Sequence, residues 1–327
     1  MEKKYLAISI LAVCVLCLVL GLAKPRPFKT ADTGLSAIQA PSRIALINLE
    51  GPISSTVSTT FFPELYSATN VLDSVNKAAK DKTVKGVILR INSPGGTVSA
   101  SQDIYDAVLR LRKEKPVVVS IADVAASGGY YVASAADRIV AQEGSMTGSI
   151  GVIFSFIDAA DLTRKIGLTD NTVKSGRFKD AGSFYRRMTT DEKSLFQTTI
   201  YDAYDQFIDA IDKGRIQRKD TYKAEKTTLT LDTLKQYADG RIFLGSQAKK
   251  IGFVDSLGGQ YEAENLAKNL VQEKFNIKTE LPVVPYNKDS SFKSLLMGIE
   301  SKFNHNPISS MLPFSVKYAK QPLLLWE

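Results

Sequence analysis

Ser127, in the stretch AASGGYY, and Lys179, in SGRFKD, are the two side chains equipped to do covalent chemistry together, because the 327-residue chain contains one histidine. That residue, His305, lies in a polar, proline-flanked stretch, SKFNHNPISS, unsuited to a fixed and buried imidazole. A serine nucleophile needs a base within hydrogen-bond reach, and with Ser-His-Asp set aside the remaining route is a neutral lysine. At pH 7 an unperturbed lysine is only about 0.04% neutral, a deficit of roughly 4 to 5 kcal/mol. Burial has to recover most of that deficit, and a serine hydroxyl can hold the neutral amine without restoring its charge. A carboxylate facing the amine would do the opposite, so Asp180, the next residue along, is expected to point away and cap or pair elsewhere.

The elements that must position these groups are legible around them. The apolar run VVVSIADVAA ahead of Ser127 reads as a buried strand, and YYVASAAD after Gly128 and Gly129 reads as a short helix. Ser127 therefore falls at a strand-to-helix turn, where glycines permit a sharp bend and the helix start offers amide N–H groups and partial positive charge. The bland alternative is a small-residue helix packing tightly on a sheet. A second glycine turn lies upstream in KGVILRINSPGGTVSASQDIYDAVLRL, which reads as a strand (Val87 to Ile91), a Ser93-Pro94-Gly95-Gly96 turn and a helix from about Val98, with apolar spacing at Ile104, Val108 and Leu111. It has no GKS or GKT ending and no GxGxxG, so it is a poor phosphate cradle. Two such turns at one sheet edge can instead aim N–H groups at a single oxyanion.

The order INSPGG, AASGGYY, MTGSIGV, SGRFKDAG and GRIFLGSQAKKIGFVDSLGG resembles the signal peptide peptidase family, the SppA type with a single catalytic domain, over roughly Arg43 to Pro285. NSPGG alone also suits the proteolytic subunit of Clp protease and the wider crotonase-like fold; the lysine segment and GxxxxGxxAxxxGxVD, Gly240 to Asp255, narrow the match. The resemblance implies an α/β fold with a crotonase/Clp-like repeated β-β-α core. It further implies Ser127 as nucleophile, Lys179 as general base and Ser149, in TGSIG, as the hydroxyl that positions the lysine. Gly95 and Gly128 match the oxyanion donors, with Gly96 close by. Phe184 follows Gly182 and Ser183 where members of the family often carry proline, a departure that bears on the local loop and on substrate preference and leaves the dyad intact. Because some members carry two tandem copies with lysine from one half facing serine from the other, a one-copy chain is expected to form a closed ring in which Ser127 of one protomer meets Lys179 of its neighbour.

Length and composition agree with an α/β enzyme. The chain is 44% hydrophobic, enough for one good-sized core, and shows no repeats. A net charge of +8 is spread along the sequence, which gives nucleic-acid binding little support; a bland basic surface or attraction to anionic lipid accounts for it. Tyr5 to Ala23 carries no charge and is flanked by Lys3, Lys4, Lys24 and Arg26, long enough for a transmembrane anchor, with a cleaved signal peptide as the competing reading. The charge on the two flanks is similar, so it does not orient the segment; the resemblance implies a single-pass anchor at the cell membrane and an extracytoplasmic catalytic domain. Both cysteines, Cys14 and Cys17, lie inside that segment, leaving none for a disulfide or a zinc site in the remainder. The expected organisation is a stub (1–4), anchor (5–23), linker (24–42), peptidase domain (43–285) and C-terminal extension (286–327) with a helical, amphipathic piece, SSFKSLLMGIESKFN, and an apolar PLLLWE. Thr190 to Lys213 is expected to form one long amphipathic helix serving the core or a protomer contact.

The sequence thus points to a membrane-anchored serine endopeptidase acting on remnant signal peptides or similar hydrophobic peptides, with no cofactor or metal. A crotonase-type acyl-CoA hydratase or isomerase would use the same glycines without the dyad or the anchor. A non-catalytic membrane scaffold would keep the fold alone.

Overall fold

Alternating burial along the strands sorts the apolar residues onto two faces of one sheet. In β1 (Arg43–Glu50), Ala45, Ile47 and Leu49 turn to one side and Ile44 to the other; in β2 (Val84–Ser93), Val87, Leu89 and Ile91 oppose Ile88. Strands covered on both faces by helices read as continuous apolar runs, which is why β2 extends beyond the expected Val87 to Ile91. The computed structural model describes residues 41–55, 68–217, 227–287 and the backbone of 323–325. Tyr5 to Ala23, both cysteines, His305 and the amphipathic piece of the extension lie outside these residues. Among the described residues, no helix is long and apolar enough to cross a membrane.

The strands are β1, β2, β3 (Gly95–Thr97), β4 (Val117–Ala126), β5 (Arg138–Ala141), β6 (Met146–Gly148), β7 (Ile242–Leu244), β8 (Ser256–Leu257), β9 (Val283–Pro285) and β10 (Leu323–Leu325). The main sheet runs β7-β6-β4-β2-β1-β9, with β5 and then β8 continuing from the first half of β4. Every pairing in it is parallel except β6 with β7. One face carries α1 (Ala68–Lys80), α2 (Val98–Glu114), α3 (Gly128–Ala133) and the C-terminal half of α5 (Thr190–Ile211); α8 (Gln260–Phe275) covers the other through Ala263, Ala267, Leu270 and Val271. Shorter helices are α4 (Ala160–Lys165), α6 (Leu231–Tyr237) and α7 (Gly245–Ile251). This mixed α/β layering, dominated by parallel pairs, is consistent with a Clp-like fold.

Two polar ties hold the frame around β4, the strand that ends at Ser127. The Lys115 ammonium, buried at the start of β4, donates to Ala78 O (2.6 Å), Ala79 O (2.9 Å) and Asp81 O (2.8 Å), and so closes the C-terminal end of α1. Arg215, fully buried in the π-helical turn Asp212–Ile216 that follows α5, reaches both carboxylate oxygens of Asp255 at 2.8 Å. Asp255 also accepts from Ile139 N at 2.7 Å, which links α5, β5 and the loop before β8. The aspartate that ends the Gly240 to Asp255 motif is therefore a framework residue.

Candidate active site

β4 delivers Ser127 and α3 leaves from it, as the apolar run and the following glycines require. The serine takes φ 52° and ψ −117°, outside the ordinary helix and strand regions, and its amide donates to Gly148 O at 2.8 Å while its carbonyl starts α3 by accepting from Tyr131 N at 2.8 Å. Backbone of this kind costs about 1–3 kcal/mol and persists only where its surroundings enforce it. Here α3 supplies the enforcement. Tyr130 packs on Phe253 (5.4 Å between centroids) with its hydroxyl donating to Phe253 O, and Tyr131 packs between Tyr105 (5.0 Å) and Phe207 (4.9 Å). Burial pushes the Tyr131 phenol up to about 12, so it stays neutral. The Ser127 hydroxyl is buried and has no hydrogen-bond partner among the described residues.

The two glycine turns meet at the carboxyl edge of the sheet. β2 and β4 are parallel neighbours with Ser93 opposite Ala125, so Pro94-Gly95-Gly96 and Ser127-Gly128 leave the same edge. A side chain on Gly128 would have its Cβ 3.1 Å from Gly96 N and 3.3 Å from Gly95 Cα, and closer still to the Ser101 hydroxyl. Only glycine allows this approach. In β3, Gly95 O accepts from Ile53 N (2.8 Å) and Thr97 N donates to Ile53 O (2.8 Å), so strand alternation turns the Gly96 N–H and C=O to the opposite side. β10 lies there, antiparallel, with Leu324 opposite Gly96 and Leu325 opposite Gly95. The Gly95 N–H itself donates to Ser93 Oγ at 3.1 Å, so an oxyanion at this amide has to share it with that hydroxyl.

Ser149 stands beside Ser127, just past β6, buried and also left-handed at φ 49°, with its amide donating to Arg241 O at 2.8 Å. Lys179 is elsewhere. It lies on an irregular arm between β6 and α5, exposed, on the rim of a cavity of about 660 Å³ whose wall includes Phe154, Phe156, Phe184, Tyr185 and Phe196. Phe184, the residue that departs from proline, is part of that wall, and its carbonyl accepts from Ala159 N at 2.9 Å. Within one chain Ser127 Oγ and Lys179 are not hydrogen-bonded to one another. The arm also leaves Ile157, Leu162, Ile166, Leu168 and Val173 more than half exposed, Val173 almost completely.

Asp180 is paired elsewhere, as expected, and its partners are specific. Arg186 grips it with Nε to Oδ2 and Nη2 to Oδ1, both 2.8 Å, and Lys174 Nζ adds a contact to Oδ1 at 2.6 Å. These bonds hold the carboxyl well below the ordinary carboxylate range, Arg186 first and Lys174 second. Arg186 is in turn bound to Glu192, through Nη1 to Oε2 at 2.9 Å and a short Nη2 to Oε1 contact. Glu192 is the third residue of α5 and reaches back to Thr189 N (2.9 Å) in a capping box. The Thr189-x-x-Glu192 spacing was the readable signal for this chain of contacts; Arg186 itself carries no local mark. Among the described residues, no group of three His, Cys, Asp or Glu side chains could hold a metal.

Residues 110–274 match the model of Peptidase family S49, and residues 42–146 match that of Clp protease. A candidate signal peptide peptidase SppA of Enterococcus faecium is 31% identical over 320 residues, covering 91% of this chain and 88% of that protein. A candidate protease of Synechocystis is 35% identical over 244 residues, 75% of this chain and 77% of the relative. The chloroplastic serine protease SPPA of Arabidopsis thaliana is 33% identical over 261 residues, 79% of this chain and 37% of the plant protein. With similarity running through nearly its whole length, the chain belongs to peptidase family S49, as a serine protease of the signal peptide peptidase type.

Proposed function

We propose that this protein is a membrane-anchored endopeptidase with a Ser127–Lys179 dyad that degrades hydrophobic peptides such as cleaved signal peptides. The observation that supports the dyad is the Ser127 hydroxyl, buried on a left-handed turn with no hydrogen-bond partner among the described residues, in a chain whose one histidine is His305. In the first step the Lys179 amine takes the hydroxyl proton as Oγ attacks the scissile carbonyl, and the developing oxyanion draws on the amides of Gly128 and of Gly95, the latter shared with Ser93 Oγ, while the Gly96 amide faces β10. Collapse breaks the C–N bond, and the ammonium returns its proton to the departing amine. Water then attacks the acyl-serine with the amine again as base, releasing the acid and restoring Oγ–H. Ser149 holds the neutral amine between these transfers. Tyr5 to Ala23 anchors the chain with the catalytic domain outside the cytoplasm, which brings it to membrane-borne peptide remnants.

The dyad forms between neighbouring copies in a closed ring. Two findings support this: Ser127 Oγ and Lys179 are not paired within a chain, and Lys179 rides on an arm whose exposed aliphatic residues suit a covered interface. Entry of the arm into a neighbour also supplies the burial that a neutral amine requires. The test is co-expression of full-length Ser127→Ala and Lys179→Ala chains carrying different tags, with purification through both. Random mixing leaves roughly a quarter of interfaces with both groups intact, so activity should return from two inactive parents. Doubly tagged assemblies that stay inactive overturn the shared site.

A further inference from the structure

We propose that Arg186 is a positioning residue of the catalytic site, holding the Asp180 carboxylate off the Lys179 amine. The inference rests on Lys179 as general base. A carboxylate one residue away in sequence is close enough to favour the charged, inactive form of that amine if it turns toward it. Both Asp180 oxygens are instead occupied by the Arg186 fork, Lys174 completes the set, and Lys179 makes no ion pair with Asp180. A lone lysine could follow the carboxylate round, whereas the planar guanidinium fixes it in one orientation. The guanidinium is fixed as well, because Glu192 sits at the first turn of α5 in a capping box and is almost wholly buried. Orientation is thus passed from a helix start to the catalytic turn through three side chains.

The signs of the charges make the inference quantitative. Lys174 and Arg186 carry two positive charges and Asp180 and Glu192 two negative, so the cluster beside Lys179 is neutral. The other charged or titratable groups on the arm and the first turn of α5 are Asp158, Lys165, Asp170, Tyr185 and Lys193, together with Arg177, which pairs with Asp191, and Arg187 and Arg164, which both pair with Asp161; the segment 153–157 contributes none. Removing Arg186 leaves one net negative charge and a freed carboxylate near the amine. Removing Asp180 leaves one net positive charge. At separations of several ångströms and protein-like dielectric, either change displaces a neighbouring ionisation by about one pH unit.

The experiment measures kcat/KM against pH in the full-length assembled enzyme for wild type, Arg186→Gln, Arg186→Lys, Asp180→Asn and the double variant Arg186→Gln/Asp180→Asn, with Lys179→Ala alongside. The acidic limb should move about one unit toward alkali in Arg186→Gln and about one unit toward acid in Asp180→Asn. It should return close to wild type in the double variant, and Arg186→Lys should fall between wild type and Arg186→Gln. If Arg186→Gln does not fold, Arg186→Lys decides, since it keeps the charge but not the fork and must still move the limb toward alkali. Coincident limbs across the folded variants, with Lys179→Ala inactive, overturn the inference by making Arg186 structural only. Activity in Lys179→Ala overturns the lysine mechanism, and this inference with it.

Discussion

Ser127 and Ser149 stand one residue beyond the paired ends of neighbouring parallel strands, where Ala126 lies opposite Gly148, and both take left-handed backbone, φ 52° and 49°. The Ser127 amide bonds to Gly148 O, so the two turns are tied directly. Two strained non-glycine residues side by side at one sheet edge are hard to account for by packing, and each buries a hydroxyl. In the proposed dyad the pair would form a fixed floor on which the amine is held by one hydroxyl while it deprotonates the other.

From that floor follows an ordered loss of activity. Ser127→Ala and Lys179→Ala should lower kcat for a fluorogenic peptide with a small residue before the scissile bond by roughly 10⁴-fold or more. Ser149→Ala should cost less, about 10- to 10³-fold, mostly in kcat. His305→Ala should be indistinguishable from wild type, and a large loss there would sink the lysine mechanism.

Gly128→Ala should fail at the chemical step. The added methyl meets the Gly95-Gly96 backbone and the Ser101 hydroxyl, so the amides that face the oxyanion must separate. Loss of such a donor typically costs 10²–10³-fold in kcat. Adding Ser101→Ala removes the nearest obstacle but leaves the backbone ones, so rescue should be partial; full recovery would show that the glycine pair does not need this approach.

Asp137 gives the fold a pH dependence of unusual sign. Its carboxylate accepts from Val117 N at 2.8 Å, at the start of β4, and burial raises its pKa to about 6 from 3.8. The folded state therefore holds this proton more tightly than the unfolded chain. Its contribution is fully present below about pH 4 and falls away by roughly 3 kcal/mol as pH rises to 6. Asp137→Asn keeps an acceptor for Val117 and removes the titration. Urea midpoints between pH 4 and 7 should show the wild type losing ground to the variant, and parallel curves would refute the assignment.

Arg215 and Asp255 should be intolerant of change one at a time. Arg215→Met or Asp255→Leu leaves a buried charge without its partner and should cost about 3–5 kcal/mol. The double variant should be markedly more stable than the sum of the singles, because no charge is then stranded. Additive losses in thermal or urea unfolding would show that the pair acts through packing alone.

Much of the sheet edge that carries Ser127 was legible in the sequence because it is local. VVVSIADVAA is β4 from Val117 to Ala126, α2 starts at Val98, and Ser127 sits at the bend. Hydrophobic period and glycine placement act over a few residues, and the sequence displays them directly. The same reasoning put Asp180 facing away from Lys179 but could not name Arg186, since a guanidinium's partner is chosen by the path of an irregular arm. Asp255 was visible as a motif end, while its meaning depended on Arg215, 40 residues distant. The helix from Thr190 ends at Ile211 and widens into a π turn, where Arg215 is buried. β10 escaped notice altogether, because pairing between residue 324 and residue 96 leaves no trace in either segment.

That last pairing changes how any extended chain can settle on β3. A three-residue strand with Ile53 on one side and β10 on the other presents no open ladder, which keeps two molecules from zipping together through their glycine turns. A newcomer therefore trades places with a resident. Main-chain bonds gained and lost in such an exchange are alike in number and kind, so they cancel, and what decides it is what else the newcomer brings. Backbone recognition, which elsewhere makes strand addition indifferent to sequence, here becomes a filter for it.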